Sequence, residues 1–579
     1  MAKTKTKTKT KTASTIATAS TIATAATQTC KPSPVGTGTT LAVMDEQKRV
    51  FIQPSARADV SRAVIGFMDA LATGTGQSTY YNTKGEQSEV LLKLHEAVFL
   101  VNRGLYAALL ALPGARDVSV QYGIMRLLDD HSNLADSMLD SVLETRLLSQ
   151  LSERIPPQRM FKMFGMIREK RINNRRTRRL ILTSILSGRS LELWSVKYRR
   201  KMLAALQCAW GRRLVNHLAR ILTLPESERT VLNRATMRRN IYRYCRSTDA
   251  GHLRDVEECL RFVLTNANDG AAIGRVYTLD LLRKFVAAKK NLEEGAGLPR
   301  EVLEGIRGRF HKGLPVIKVL ELSRATMTER QKMQHVAAAE RRGVALEFNP
   351  MALTLVDLYI YALEKGITPA IRRAMLHKAA QAADRLPFRY RRPGVLVDTS
   401  VSMFGDVTAK RRPLAIALAM RDVLASSASD SDTAVVRASN GRFDEHGMIQ
   451  PCGSTSLAEG VVSLLEEGVD VVYIISDGYE NAPAGRVHEV LEQVRALGVT
   501  TPVYQISPVI GAEAAGVRSL SPVAVVMPVA NPETLGLAAV RASLAADPEA
   551  AITLLIGQAR QMLTSGRATG DVDGYVKEI

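Results

Sequence analysis

The chain has 579 residues, 46% of them hydrophobic, with a net charge of +21 and five cysteines. Its length suits more than one domain at roughly 150 residues each, and no uninterrupted apolar stretch reaches the ~18 residues of a membrane span. The cysteines (Cys30, Cys208, Cys245, Cys259, Cys452) are odd in number and form no Cys-x-x-Cys pair. That argues against a disulfide framework or a structural zinc site and for a reducing, cytoplasmic setting.

Residues 1–45 read as a disordered, basic, Lys/Thr-rich tail. Five Lys-Thr pairs run from Lys3 to Thr12, and Ala13–Thr18 repeats at 19–24. Such a segment buries too little apolar surface to offset the entropy of ordering. It lacks the Arg-rich amphipathic face of an organellar transit peptide, so a flexible tail is the better reading.

Residues 55–390 have helical texture. Apolar residues recur at three- and four-residue spacing over 89–111 and 196–223, and Ala, Leu, Arg, Glu and Met dominate. Breaks are expected at Pro113-Gly114, Pro156-Pro157, Pro225, Gly270, Gly295-Gly297, Pro315, Pro350 and Pro369. No sequence period repeats, and stacked helical hairpins of the α-solenoid type stay open.

The charge is concentrated within this region. Residues 151–250 carry 24 Lys/Arg against 6 Asp/Glu (net +18), 251–400 carry 25 against 17 (+8), and 401–579 carry 13 against 21 (−8). Seven of the twelve residues 168–179 are basic: Arg168, Lys170, Arg171, Arg175, Arg176, Arg178 and Arg179. Lys197, Arg199, Arg200 and Lys201 follow, then Arg238, Arg239 and Arg243. A single charge run is usually a solvated helix face. Clusters this dense, with so few acids between them, repel one another unless a polyanion lies over them. Arginine suits phosphate because its planar fork bonds bidentately. No zinc finger or basic zipper is present, which favours RNA over DNA. Tyr198, Tyr242 and Tyr244, beside the clusters, are candidates to stack on unpaired bases. Trp194 and Trp210, among apolar neighbours, read as core.

From Pro393 to about residue 565 short β-rich runs (395–398, 433–437, 471–476, 502–506, 523–527) alternate with helical ones (409–426, 456–467, 484–497, 533–545). That alternation predicts a doubly wound parallel sheet. The fold class expected is therefore mainly α plus α/β. Three segments near strand ends carry hard oxygen donors: Asp398-Thr399-Ser400-Val401-Ser402, Gly453-Ser454-Thr455 and Ser476-Asp477-Gly478. Side chains at alternate residues face one way, so Asp398, Ser400 and Ser402 can meet Thr455 and Asp477 at one Mg²⁺ or other divalent cation. Asn481 either ties the third loop back to this site or caps the next helix, the commoner task. His446 and Glu480 are the nearest candidates for a general base, and neither has a supporting motif. The chain lacks a Gly-x-x-x-x-Gly-Lys-Ser/Thr loop, so it does not read as an enzyme.

The three loops resemble the metal site of the von Willebrand factor A (vWA) family. The resemblance implies a cation held largely by neutral oxygens, open to a carboxylate from an acidic-residue-bearing protein partner. A basic helical region followed by such a domain is similar to the Ro autoantigen (TROVE) family. That likeness implies helical repeats closed against the vWA domain and an RNA-binding scaffold for small structured or misfolded non-coding RNA. Many vWA proteins with helical N-terminal regions instead serve MoxR-type AAA+ ATPases, presenting substrates or helping to insert metals. That alternative leaves the +18 region without a task.

Overall fold

The structure, a computed structural model, describes residues 54–529 except 74–83, 113, 130–140, 189, 266–275, 342, 385, 387–388, 406–410, 430–432 and 509–517, and also residues 532–535, 537 and 541. The low-complexity tail, the break expected at Gly270 and most of the helix expected at 533–545 lie outside the described residues.

The described residues between 54 and 383 form helices joined by turns, as the apolar spacing predicts. The expected breaks hold for chemical reasons. Pro157 opens the helix Pro157–Glu169, and Pro369 opens Pro369–Ala383 behind the Thr368 cap. Two long periodic stretches are subdivided. Asn102 accepts from the Leu105 amide at 2.7 Å and so starts Arg103–Ala111 separately from Lys84–Val101. Tyr198 and Gly211 divide 191–223 into three helices. Gly211, at φ +78°, takes a backbone conformation that a side chain would strain.

One apolar core runs through these helices from Val64 to Val319. Within it Glu144 is fully buried and bridges two arginines. Its carboxylate accepts from Arg103 Nε at 2.7 Å and Nη2 at 2.8 Å, and also from Arg176. His95 is buried too, with Nδ1 2.6 Å from the Tyr106 hydroxyl and Phe67 packed edge-on. Burial drives its pKa down to about 3.

Five parallel strands form the C-terminal sheet: β1 (Pro393–Val397), β2 (Val435–Ala438), β3 (Val471–Ile475), β4 (Val503–Pro508) and β5 (Val525–Val529). Their order is β2-β1-β3-β4-β5. The chain leaves β1 toward one edge and returns to build the other, so the topological switch point falls between β1 and β3. Both strands are buried along their whole length, as continuous Val/Ile/Leu runs require in a sheet covered on both faces.

The two halves meet at both ends of the helical array. Helices Leu355–Lys365 and Pro369–Ala383 share an apolar core with the sheet and with helix Arg412–Ser426. At that junction Tyr359 donates to Asp422, and Arg421 Nη2 donates to the Tyr359 hydroxyl at 3.3 Å. The first helix, Pro54–Thr73, packs against β5, where Arg541 donates to the Asp69 carboxylate through Nε and Nη2. Leu537 enters the core of the helical array. No described helix is long and apolar enough to cross a membrane.

Candidate metal centre and basic face

β1 and β3 end side by side, and the loops that leave them hold the expected donors. The Asp398 amide bonds the Ile475 carbonyl at 2.8 Å, which continues the β1–β3 ladder into the site. Asp398 is fully buried, and its carboxylate accepts from the Ser400 amide at 2.9 Å and the Ser476 hydroxyl at 2.8 Å. Ser400 Oγ lies 3.0 Å from Ser402 Oγ, and Ser402 in turn bonds Asp477. The odd-numbered residue faces away. Thr399 bonds the Asn440 carbonyl and amide at 2.8 and 2.9 Å. Period-2 alternation therefore sorts this loop as anticipated.

Thr455 is buried, and its loop is tied to both neighbours. Val401 N reaches Gly453 O at 3.3 Å, Cys452 N reaches Thr399 O at 2.8 Å, and Asn481 Oδ1 accepts from Thr455 N at 2.9 Å. Asn481 thus fastens the second loop to the third. The capping task falls to Glu480, whose Oε2 accepts from Val487 N at 2.9 Å in the first turn of Arg486–Ala496. Its other oxygen, Oε1, is buried with no hydrogen-bond partner among the described residues, and burial raises the Glu480 pKa. The His446 ring lies 3.7 Å from Glu445 on an exposed loop.

Burial raises the Asp398 pKa above the usual carboxylate range, and the nearby Asp477 charge adds to the rise. Burial raises Asp477 as well, against hydrogen bonds from Tyr479 N and Ser402 and the attraction of Arg518. Two facing carboxylates among serine hydroxyls, with Ser402 exposed at the rim, suit a hard divalent cation. Among the described residues no group of three or more His, Cys, Asp and Glu comes together. Sequence reasoning missed Arg518, which lies 3.7 Å over the Tyr479 ring. Its carbonyl passes 2.7 Å from where a Cβ on Gly478 (φ +85°) would stand, so position 478 admits only glycine without rearrangement.

The basic clusters lie on adjoining elements. Helices Pro157–Glu169 and Arg175–Leu186 both pack on Arg199–Trp210, and the turn Tyr242–Tyr244 packs against Arg175–Leu186. The Arg168 and Arg178 charges both act on the Cys208 thiol of helix Arg199–Trp210. Eleven of the fourteen sequence candidates are exposed: Arg168, Lys170, Arg171, Arg175, Arg178, Arg179, Arg200, Lys201, Arg238, Arg239 and Arg243. None of the eleven has an ion-pair partner among the described residues.

The other three have partners within the protein. Arg176 bonds buried Glu144, Lys197 pairs with Glu301 at 3.2 Å, and Arg199 donates to the Phe262 and Thr265 carbonyls at 3.1 and 2.8 Å. The tyrosines are likewise engaged. Tyr198 packs against Phe161 at 5.3 Å, Tyr242 donates to Glu257, and Tyr244 lies half-buried on the core. All three are half-buried. Trp194 packs edge-on against Phe161 at 6.0 Å, in keeping with a core role.

No protein-family profile matches the chain, and no curated protein matches it. Among solved structures it is similar to the crystal structure of the Deinococcus radiodurans Ro (RSR) protein, at 14% sequence identity and a TM-score of 0.43, over 82% of this chain and 99% of that one.

Proposed function

We propose that this protein is an RNA-binding scaffold of the Ro type. The observation that carries the reading is the set of eleven exposed cations on packed neighbouring elements, none with an acidic partner among the described residues. A surface of that charge attracts phosphate, and the guanidinium fork adds hydrogen bonds to the attraction. The ligand class is small structured or misfolded non-coding RNA, held mainly through its backbone.

The C-terminal domain, read as a vWA domain, takes a second partner. Asp398, Ser400, Ser402, Thr455 and Asp477 would hold Mg²⁺ or a similar cation, directly or through water. When bound, the ion supplies an electrophilic open position for a carboxylate of a protein partner. The oxygen donor set supports docking as the reading, with the ion's open position taken by a partner carboxylate. The test is the protein as purified, probed for bound RNA by absorbance and then titrated with small structured RNA. A protein-only spectrum with no RNA binding would contradict the reading.

A further inference from the structure

Helix Arg300–Phe310 ends in the segment Gly308-Arg309-Phe310-His311-Lys312-Gly313, which no cluster named above includes. Residues 305–320 contain four basic side chains and no acid. Arg307 and Lys318 are paired, with Glu304 at 2.7 Å and Glu293 at 3.1 Å. Arg309 and Lys312 are exposed and have no ion-pair partner among the described residues.

In sequence Phe310 lies between these two cations, and it is 45% exposed. It is the one exposed aromatic side chain among the described residues; every other Phe, Tyr and Trp whose burial is described is half-buried or buried. The Arg309 guanidinium lies 5.4 Å from its ring centroid. The turn beneath is pinned by His311 Nε2 to Ala288 O at 2.7 Å and by Arg307 Nη1 to Leu314 O at 3.0 Å. Phe310 therefore sits on a fixed support. A chain of contacts links the support to helix Arg199–Trp210: Arg199 lies over Phe262, Phe262 packs on Phe285, and Lys289, next to Ala288, lies over Phe285.

An exposed apolar ring flanked in sequence by two free cations matches single-stranded nucleic acid, whose bases offer flat π-faces at intervals along a charged backbone. A folded protein partner would meet the two cations without that repeat. A duplex keeps its bases stacked inside and offers Phe310 nothing. We propose that Phe310 is a stacking platform for an unpaired base of single-stranded RNA, with Arg309 and Lys312 holding the flanking phosphates. The inference rests on the RNA-binding reading and assigns it a separate single-strand site.

The experiment uses the full chain and fluorescence anisotropy with a labelled oligoadenylate and a blunt RNA duplex. Phe310→Ala should weaken the single strand about tenfold, leave the duplex and the salt slope unchanged, and be rescued by Phe310→Tyr. Unchanged single-strand affinity in Phe310→Ala, or equal loss on both RNAs, overturns the inference and leaves the RNA reading standing. A wild-type chain that binds duplex but no single strand likewise overturns the inference alone. A wild-type chain that binds neither overturns both.

Discussion

Arg541 Nη2 donates to Asp69 Oδ2 at 3.0 Å, joining residues 472 positions apart in sequence. The pair is one end of the circuit that closes the helical array onto the α/β domain, and both side chains are mostly buried. Burial raises the Asp69 pKa against the pull of Arg541, so removal of the guanidinium takes away an attraction that favours the charged carboxylate. Arg541→Ala should cost about 1.5–3 kcal/mol, the range for hydrogen bonds to charged groups, and expose helix Pro54–Thr73 to limited proteolysis. Thermal denaturation and cleavage mapping check this. An unchanged cleavage pattern would mean that packing alone holds the first helix.

Glu144 performs the corresponding task inside the helical array. Glu144→Ala should destabilise by about 3–5 kcal/mol, because it removes the buried carboxylate that pairs Arg103 and Arg176. Arg176→Ala should leave RNA affinity unchanged, since that guanidinium is occupied internally. If Arg176→Ala weakens RNA binding in a folded protein, its pairing with Glu144 is not what decides its role.

His95 makes acid stability testable. The unfolded chain takes up a proton near 6.5, whereas the folded chain, by burial, resists until about 3. The unfolded state thus binds more protons in that window, so stability is full above 6.5 and falls as pH drops toward 3. The slope from this group is about 1.4 kcal/mol per pH unit. Urea unfolding of wild type and His95→Gln at pH 8, 6 and 5 should give a shallower acid loss in the variant. Parallel curves would contradict the assignment.

The metal site predicts a separation of functions. Asp398→Ala removes the buried carboxylate at the junction of β1 and β3 and should abolish Mg²⁺-dependent thermal stabilisation. RNA affinity should persist, because the basic face lies on other elements. Loss of RNA binding in a folded Asp398→Ala protein would make the ion a nucleic-acid contact.

The sequence made the α/β half and its loops legible because short-range rules govern them. Period-2 alternation placed Asp398, Ser400 and Ser402 together, and strand–helix alternation predicted the parallel sheet. Pairing was not legible where it depends on distant chain. Arg176 resembled its neighbours until folding brought Glu144 beside it from 32 residues away, and Arg199 is held by carbonyls 63 and 66 residues on. The packing of Tyr198 on Phe161 and the bond from Tyr242 to Glu257 likewise depend on residues 37 and 15 positions away. Phe310, in a plain Gly/Lys/Arg turn, carried no signal except the absence of acids around it.

The central claim, that exposed cations of the helical region bind RNA phosphates, is tested most directly by reversing Arg175, Arg178 and Arg179 to Glu. All three are exposed on helix Arg175–Leu186 or at its start, so the fold should survive. The measurement is affinity for a small structured RNA across a salt series, beside Mg²⁺-dependent thermal stabilisation. The account predicts severe loss of affinity and a log–log salt slope shallower by about 2, from roughly 0.7 per phosphate contact on single-stranded segments, with Mg²⁺ stabilisation intact. Unchanged affinity and slope in the folded triple variant would contradict it.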